Sequence, residues 1–240
     1  MKRSRSLLVL MVLMVMVAGA VVFAPAATAS FHATRITEVY AGSTALPMSQ
    51  FIELRMSQAG QNFVNGIKVK VFDASGTEKA TFTFTSNVVN GQNQAAILLA
   101  TQEAQQEFGV SADLTITPVI AASGGKVCFD TIDCVSWGNY SGGADGTGAP
   151  AAPGGIPSGF SLTRNTAGGS SPGLDSGDDT NDSAADFQIA SPTPTNNLGA
   201  TGGSDPTPTP TPTPLPTPTP DPPMNSDHER SVSLRKKAAK

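Results

Sequence analysis

Between residues 34 and 189, apolar side chains recur at every second position in short runs that end at turn-forming residues, and this period sets the fold class. Ile52, Leu54 and Met56 alternate with Phe51, Glu53 and Arg55, and Ile67, Val69 and Val71 alternate with Lys68 and Lys70. Phe82 and Phe84 alternate with threonines beyond the turn Asp73-Ala74-Ser75-Gly76. A period of two sends successive side chains to opposite faces of a strand, so these runs predict a β-hairpin and neighbouring strands with one dry and one wet face. Further strands are predicted at residues 35–40, 95–100, 114–117, 126–129, 135–137, 160–164 and 186–189. Strands at this spacing predict an all-β sandwich or barrel. One short helix is predicted over residues 101–108, capped by Thr101 and ended by Gly109 in the left-handed region, and it is expected to plug one end of the sandwich. Residues 141–159 are so rich in Gly, Ala and Pro that a long mobile surface loop, with no core of its own, is expected there.

The ends of the chain read differently. Lys2, Arg3 and Arg5 precede an unbroken apolar run from Leu7 to Ala24, then Pro25 and the small residues Ala27-Thr28-Ala29. That order predicts a secretory signal peptide over residues 1–29, with Ser30 as the new N-terminus and a secreted or cell-surface product. The rival reading is an uncleaved anchor, because the run approaches the roughly 18 apolar residues that can span a bilayer. No second apolar run follows, so no membrane span is expected once the signal is removed. The domain is expected to cover residues 30–197 and to give way to a Pro/Thr-rich linker over 198–223. Its alternating prolines and threonines predict a semi-rigid spacer of about 3.1 Å per residue. Residues 224–240 are expected to form a disordered basic tail, in which Arg230, Arg235, Lys236, Lys237 and Lys240 outnumber Asp227 and Glu229. That tail is read either as a solvated end or as a contact for anionic polymers. The whole chain carries a net charge of −4 and becomes more acidic without its basic leader, so the body offers no specific nucleic-acid site.

The two cysteines, Cys128 and Cys134, lie in the exported part, and an even count in an oxidising compartment predicts one disulfide across the end of a hairpin. Zinc is not favoured: the spacing is not Cys-x-x-Cys, and the histidines, His32 and His228, stand near the chain ends. No cofactor is expected, with calcium the one ion the sequence suggests. Asp175, Asp178, Asp179 and Asp182, with Asn181 and Asp186 beside them, concentrate the hard oxygen ligands that calcium takes. The same side chains also suit hydrogen bonds to nearby backbone N–H groups that shape a turn. Glu38 and Glu53 are a candidate acid–base pair, or else solvated charges on the wet faces of their strands. No catalytic triad can be assembled from the sequence.

Several fragments, in order, resemble a known family. Ile36-Thr37-Glu38-Val39 and Phe51-Ile52-Glu53-Leu54 are similar to the opening strands of the bacterial lamin-tail domain. Val127-Cys128-Phe129, Cys134-Val135-Ser136-Trp137-Gly138-Asn139-Tyr140 and Ser161-Leu162-Thr163-Arg164 resemble its middle strands. Asp178-Asp179-Thr180-Asn181-Asp182, Ala185-Asp186-Phe187 and Ser191-Pro192-Thr193-Pro194-Thr195-Asn196-Asn197 resemble its acidic turn, last strand and exit. The resemblance implies an immunoglobulin-like β-sandwich acting as a non-enzymatic interaction module. The cysteines depart from true immunoglobulin domains, being too close together to bridge two sheets, so Trp137 reads as a core or edge aromatic. The expected function is an exported, non-catalytic binding or scaffolding module whose partner is an unidentified extracellular protein or cell-envelope polymer. The alternative is a secreted calcium-dependent hydrolase, or an accessory subunit of one. Intact-mass analysis of the exported chain should give an N-terminus at Ser30; a chain that still starts at Met1 would establish a retained anchor instead.

Overall fold

The alternating runs pair into two sheets. The computed structural model describes residues 31–143 and 145–203; the predicted leader, the basic tail and most of the Pro-Thr linker lie outside the described residues. One sheet has six strands in the order β10-β9-β1-β2-β5-β6, and the other has four in the order β4-β3-β7-β8. The strands are β1 Thr34–Tyr40, β2 Phe51–Met56, β3 Lys68–Asp73, β4 Glu78–Thr83, β5 Ala96–Ala100, β6 Leu114–Thr115, β7 Gly124–Phe129, β8 Asp133–Gly138, β9 Ser161–Arg164 and β10 Phe187–Ala190. All pairings are antiparallel except β5 with β6. The chain is an all-β sandwich, and the positions of the predicted strands agree with those observed.

The inner faces meet as the alternation requires. Ile36, Ile52, Leu54, Ile97, Leu99 and Leu162 face Val69, Val71, Val127, Phe129, Val135 and Trp137, all essentially without solvent exposure. Trp137 is a core residue, and its indole N–H donates to the Ala121 carbonyl at 2.9 Å, which satisfies the one polar group it brings into the core. Cys128 and Cys134 stand opposite each other in the β7–β8 register, with sulfurs 2.09 Å apart.

The short helix, α1 Gln102–Phe108, has the expected caps: Thr101 accepts from the Ala104 N–H, and Gly109 adopts φ 65°. Its place corrects the sequence expectation. Rather than plugging an end, it packs on the outer face of the six-stranded sheet, where Phe108 meets Tyr40 and Phe51 edge-on at 5.3 and 5.5 Å. Tyr40, Phe51, Leu98, Ala100, Ala104, Phe108 and Val110 form a second apolar cluster there. The face expected to be wet at Phe51 and Glu53 is therefore covered, because Phe51, Leu98 and Tyr40 supply more apolar area than one sheet face can leave in water.

Residues 141–159 also depart from expectation. Ala151 bridges to Trp137 at the edge of β8, with its N–H on the Ser136 carbonyl at 2.9 Å and its carbonyl accepting from the Gly138 N–H at 2.9 Å. Ala151 and Ile156 are buried in the main core. The small residues explain this: a side chain at Gly155, where φ is +86°, would lie 2.5 Å from the Ala122 carbonyl, so only glycine lets the segment lie against the turn before β7. At the other end, the expected boundary at Asn197 falls inside a turn closed by a Thr195–Thr201 bridge and a Gly202 N–H bond to the Pro194 carbonyl at 2.8 Å. Trp137→Ala should cost about 3–5 kcal/mol of unfolding free energy and Cys128→Ser about 2 kcal/mol, both read by urea denaturation followed by circular dichroism.

Candidate functional site

The outer face of the six-stranded sheet carries two buried carboxylates side by side. Along Ile36-Thr37-Glu38-Val39, simple alternation would send Glu38 into the core with Ile36. Instead the β1–β2 register shifts between Ile36 and Glu38, and this bulge at Thr37 turns Glu38 outward, directly opposite Glu53. Glu38 accepts from Ser161 Oγ at 2.6 Å, the Thr193 N–H at 3.0 Å and Thr193 Oγ1 at 3.3 Å. Glu53 accepts from Thr37 Oγ1 at 2.9 Å, Arg55 Nη2 at 2.6 Å and the Thr195 N–H at 2.8 Å.

The segment leaving β10 is built for this contact. Pro192 and Pro194 are buried and have no N–H, while Thr193 and Thr195 present theirs two residues apart to carboxylates on adjacent strands. The expectation that Glu38 and Glu53 are solvated strand charges is corrected: they are 3% and 1% exposed. The exit segment covers them where α1 leaves off. A cleft of about 200 Å³ opens beside the pair, bordered by Arg55, Gln94, Arg164, Thr166 and Leu174. Burial is the main cause that pushes the Glu38 carboxyl up to about 7, with the neighbouring Glu53 charge adding to it.

A second polar cluster ties the sheets together. Arg164 on β9 donates from Nη2 to Asp133 Oδ2 at 2.7 Å and from Nε to the Ile36 carbonyl at 2.8 Å. Asp133, at the start of β8, accepts the Ile36 N–H at 2.7 Å. Asp179 and Asp186 each lie 3.5 Å from Arg164 Nη1, and the guanidinium stacks 4.5 Å over the Phe187 ring. Burial pushes the Asp133 carboxyl up to about 6 against the pull of Arg164.

The four aspartates of the suggested calcium set fall into separate hydrogen-bonding groups. Asp175 and Asp178 form a reciprocal capping box around the 3-10 turn Ser176–Asp178, and Asp175 also accepts the N–H groups of Ser170 and Ser171. The Gly177 N–H, followed by those of Ser170 and Ser171, holds its carboxyl down to about 2. Asp179 pairs with Arg35 at 2.5 Å, and Asp182 caps the helical turn α2 Ser183–Asp186. Among the described residues no three His, Cys, Asp or Glu side chains are grouped to hold a metal ion. His32 lies against Phe31 at the beginning of β1, and the cysteines are joined to each other.

Arg164, Asp133 and Asn197 are the residues that the period-two pattern missed. Asn197 is buried and joins the Asn90 loop to β5, accepting the Asn90 N–H at 2.6 Å and donating to the Ala96 carbonyl at 2.8 Å. A lone arginine closing the strand Ser161-Leu162-Thr163-Arg164 was the one local sign of the buried cluster. A scan against protein-family models, a search of curated proteins and a search of solved structures each returned no match.

The raised carboxyls predict a direction of pH dependence. Glu38 and Asp133 keep their protons in the folded state over a range where the unfolded chain has released them. Their contribution is therefore fully present below the ordinary carboxylate range and is lost as pH rises through about 6 to 7. The melting temperature should fall between pH 5 and pH 7.5, by an amount equivalent to on the order of 2 kcal/mol. Glu38→Gln, which keeps an acceptor for Ser161 and Thr193, should flatten that slope; an unchanged slope would remove Glu38 as its cause.

Proposed function

We propose that this chain is an exported, non-catalytic binding or scaffolding module of the lamin-tail kind, acting at the cell surface or in the extracellular space. The observation that carries the reading is the use made of the buried ionisable groups. Glu38, Glu53, Asp133, Asp178, Asp186 and Arg164 are each committed to hydrogen bonds within the fold. Groups held in this way fix loops and the exit segment rather than meeting a substrate. The order of the lamin-tail-like fragments and the signal-like leader supply the rest of the reading. Loops on a rigid sandwich are also where binding surfaces are usually carried, and Leu46, Met48 and Phe160 stand exposed on loops joined by a Thr44–Ser158 hydrogen bond.

One observation favours a second reading. A cleft reaches Glu38, whose carboxyl titrates near neutrality beside a second carboxylate, and such a pair can serve as acid and base in hydrolysis. The two readings part on a single comparison. The exported chain and its Glu38→Gln variant should retain the same protein or polymer from cell-envelope and culture fractions with equal affinity, and neither should turn over glycosides or esters. Hydrolysis by the parent chain that Glu38→Gln abolishes would replace the module reading with the enzymatic one.

A further inference from the structure

The two sheets present four edges, and three are short or covered. Ala151 bridges onto β8, β6 has two residues, and β10 has four residues and meets Pro192 soon after. The fourth edge, β4, is six residues long and exposed at Glu78, Lys79, Thr81 and Thr83. The Phe84 N–H bonds to the Ile67 carbonyl, and the register pairs Phe82 with Val69. Since antiparallel pairing alternates, Phe82 and Phe84 turn their backbone groups toward β3, and Thr81 and Thr83 turn theirs away from the sheet. No further strand lies beyond β4 among the described residues. From Ala80 to Thr85 the sequence is Ala-Thr-Phe-Thr-Phe-Thr, without charge or proline; the charges of the edge strand, Glu78 and Lys79, are confined to its first two residues, where the β3–β4 register also shifts.

The β3–β4 hairpin carries a small excess of positive charge, Lys68, Lys70 and Lys79 against Asp73 and Glu78. Arg35, Arg55, Lys126 and Arg164 are ion-paired with carboxylates of the same domain. The other lysines of the described residues, Lys68, Lys70 and Lys79, all stand on the β3–β4 hairpin, and only Lys70 is paired there, with Glu78. Lys68 lies opposite Thr83 and Lys70 opposite Thr81, so both project on the same face as those threonines, one strand in from the edge.

We propose that β4 is a strand-addition site for an extended, acidic segment of a partner protein. The outward N–H and C=O groups at Thr81 and Thr83 face solvent with the spacing that pairs with another extended chain. Acidic side chains at alternate positions of that chain would lie on the face carrying Lys68 and Lys70, with Lys79 at one end. The proposal rests on the binding-module reading and names the chemistry of the partner.

The probe is a capped octapeptide of alternating threonine and glutamate, titrated into the protein expressed with its own leader and recovered folded. Amide resonances of Thr81 and Thr83 should shift, and the affinity should fall with added salt. Thr81→Pro removes an outward N–H at a position where an edge strand tolerates proline, and it should weaken binding roughly tenfold. The double variant Lys68→Glu, Lys79→Glu leaves the backbone donors in place and should weaken it by a similar factor, roughly tenfold. An alternating threonine–lysine octapeptide should not bind. Equal binding of both peptides, shifts confined to other residues, or no shifts at millimolar peptide would overturn the proposal, as would a dimer formed through β4 that excludes the peptide. If the exported chain retains an envelope component and Thr81→Pro leaves that retention unchanged, the strand-addition site falls and the binding-module reading stands.

Discussion

The sandwich depends on how the backbone of Ile36 is satisfied. β9 pairs with β1 only over Glu38 to Tyr40, so the outward N–H and C=O of Ile36 have no ladder partner although the residue is fully buried. Asp133 from the opposite sheet takes the N–H, Arg164 takes the carbonyl, and the two side chains pair with each other at 2.7 Å. This three-way closure replaces a missing piece of strand and joins the two sheets at one end. It also anchors the acidic turn, since Arg164 accepts no other role than donor and reaches the Asp178 carbonyl, Asp179 and Asp186. Removing Arg164 would leave Asp133 buried without its counter-charge, which costs far more than the pair contributes when intact.

A second constraint follows from the six-stranded sheet having two dry faces. The inner face meets the four-stranded sheet, and the outer face meets α1 at one end and the Pro192–Thr195 stretch at the other. Glu38 and Glu53 lie beneath that stretch, which explains how two like charges can be buried on adjacent strands. Each accepts a backbone N–H from the exit segment and at least one side-chain donor, and the rise in the Glu38 carboxyl lowers the charge that must be buried. The same carboxylates thus serve as the clasp that holds the end of the domain to the sheet. The cleft beside them is what remains where the covering segment and the turn at residues 166–174 do not meet.

Local pattern left Trp137 as either a core or an edge aromatic, but it was enough for the strands, the helix with its Thr101 and Gly109 caps and the Cys128–Cys134 pairing. Each of these rests on a period, a cap residue or a short spacing, so neighbours along the chain carry the information. The environment of Glu38 was not legible in this way. Its outward direction depends on a one-residue bulge, and its burial depends on Thr193, 155 residues away. Arg164 and Asp133 are likewise 31 residues apart, and nothing in either strand's alternation marks them as partners. The glycine- and alanine-rich stretch at residues 141–159 misled for a related reason: its composition signals weak packing by its own side chains, yet small side chains let its backbone lie flat on β8.

By itself the sequence determined that the chain forms strands and roughly where each lies, because side-chain alternation and turn chemistry are properties of a few adjacent residues. It also determined which residues could be ligands, acids or caps. Only the tertiary structure decided that both faces of the larger sheet are dry, that the aspartates of the 175–186 turn bind backbone N–H groups in separate sets, and that no described strand lies beyond β4 while the other edges are short or covered. Those outcomes depend on what arrives from distant parts of the chain to fill a face or satisfy a buried polar group, and period-two patterning carries no record of that arrival.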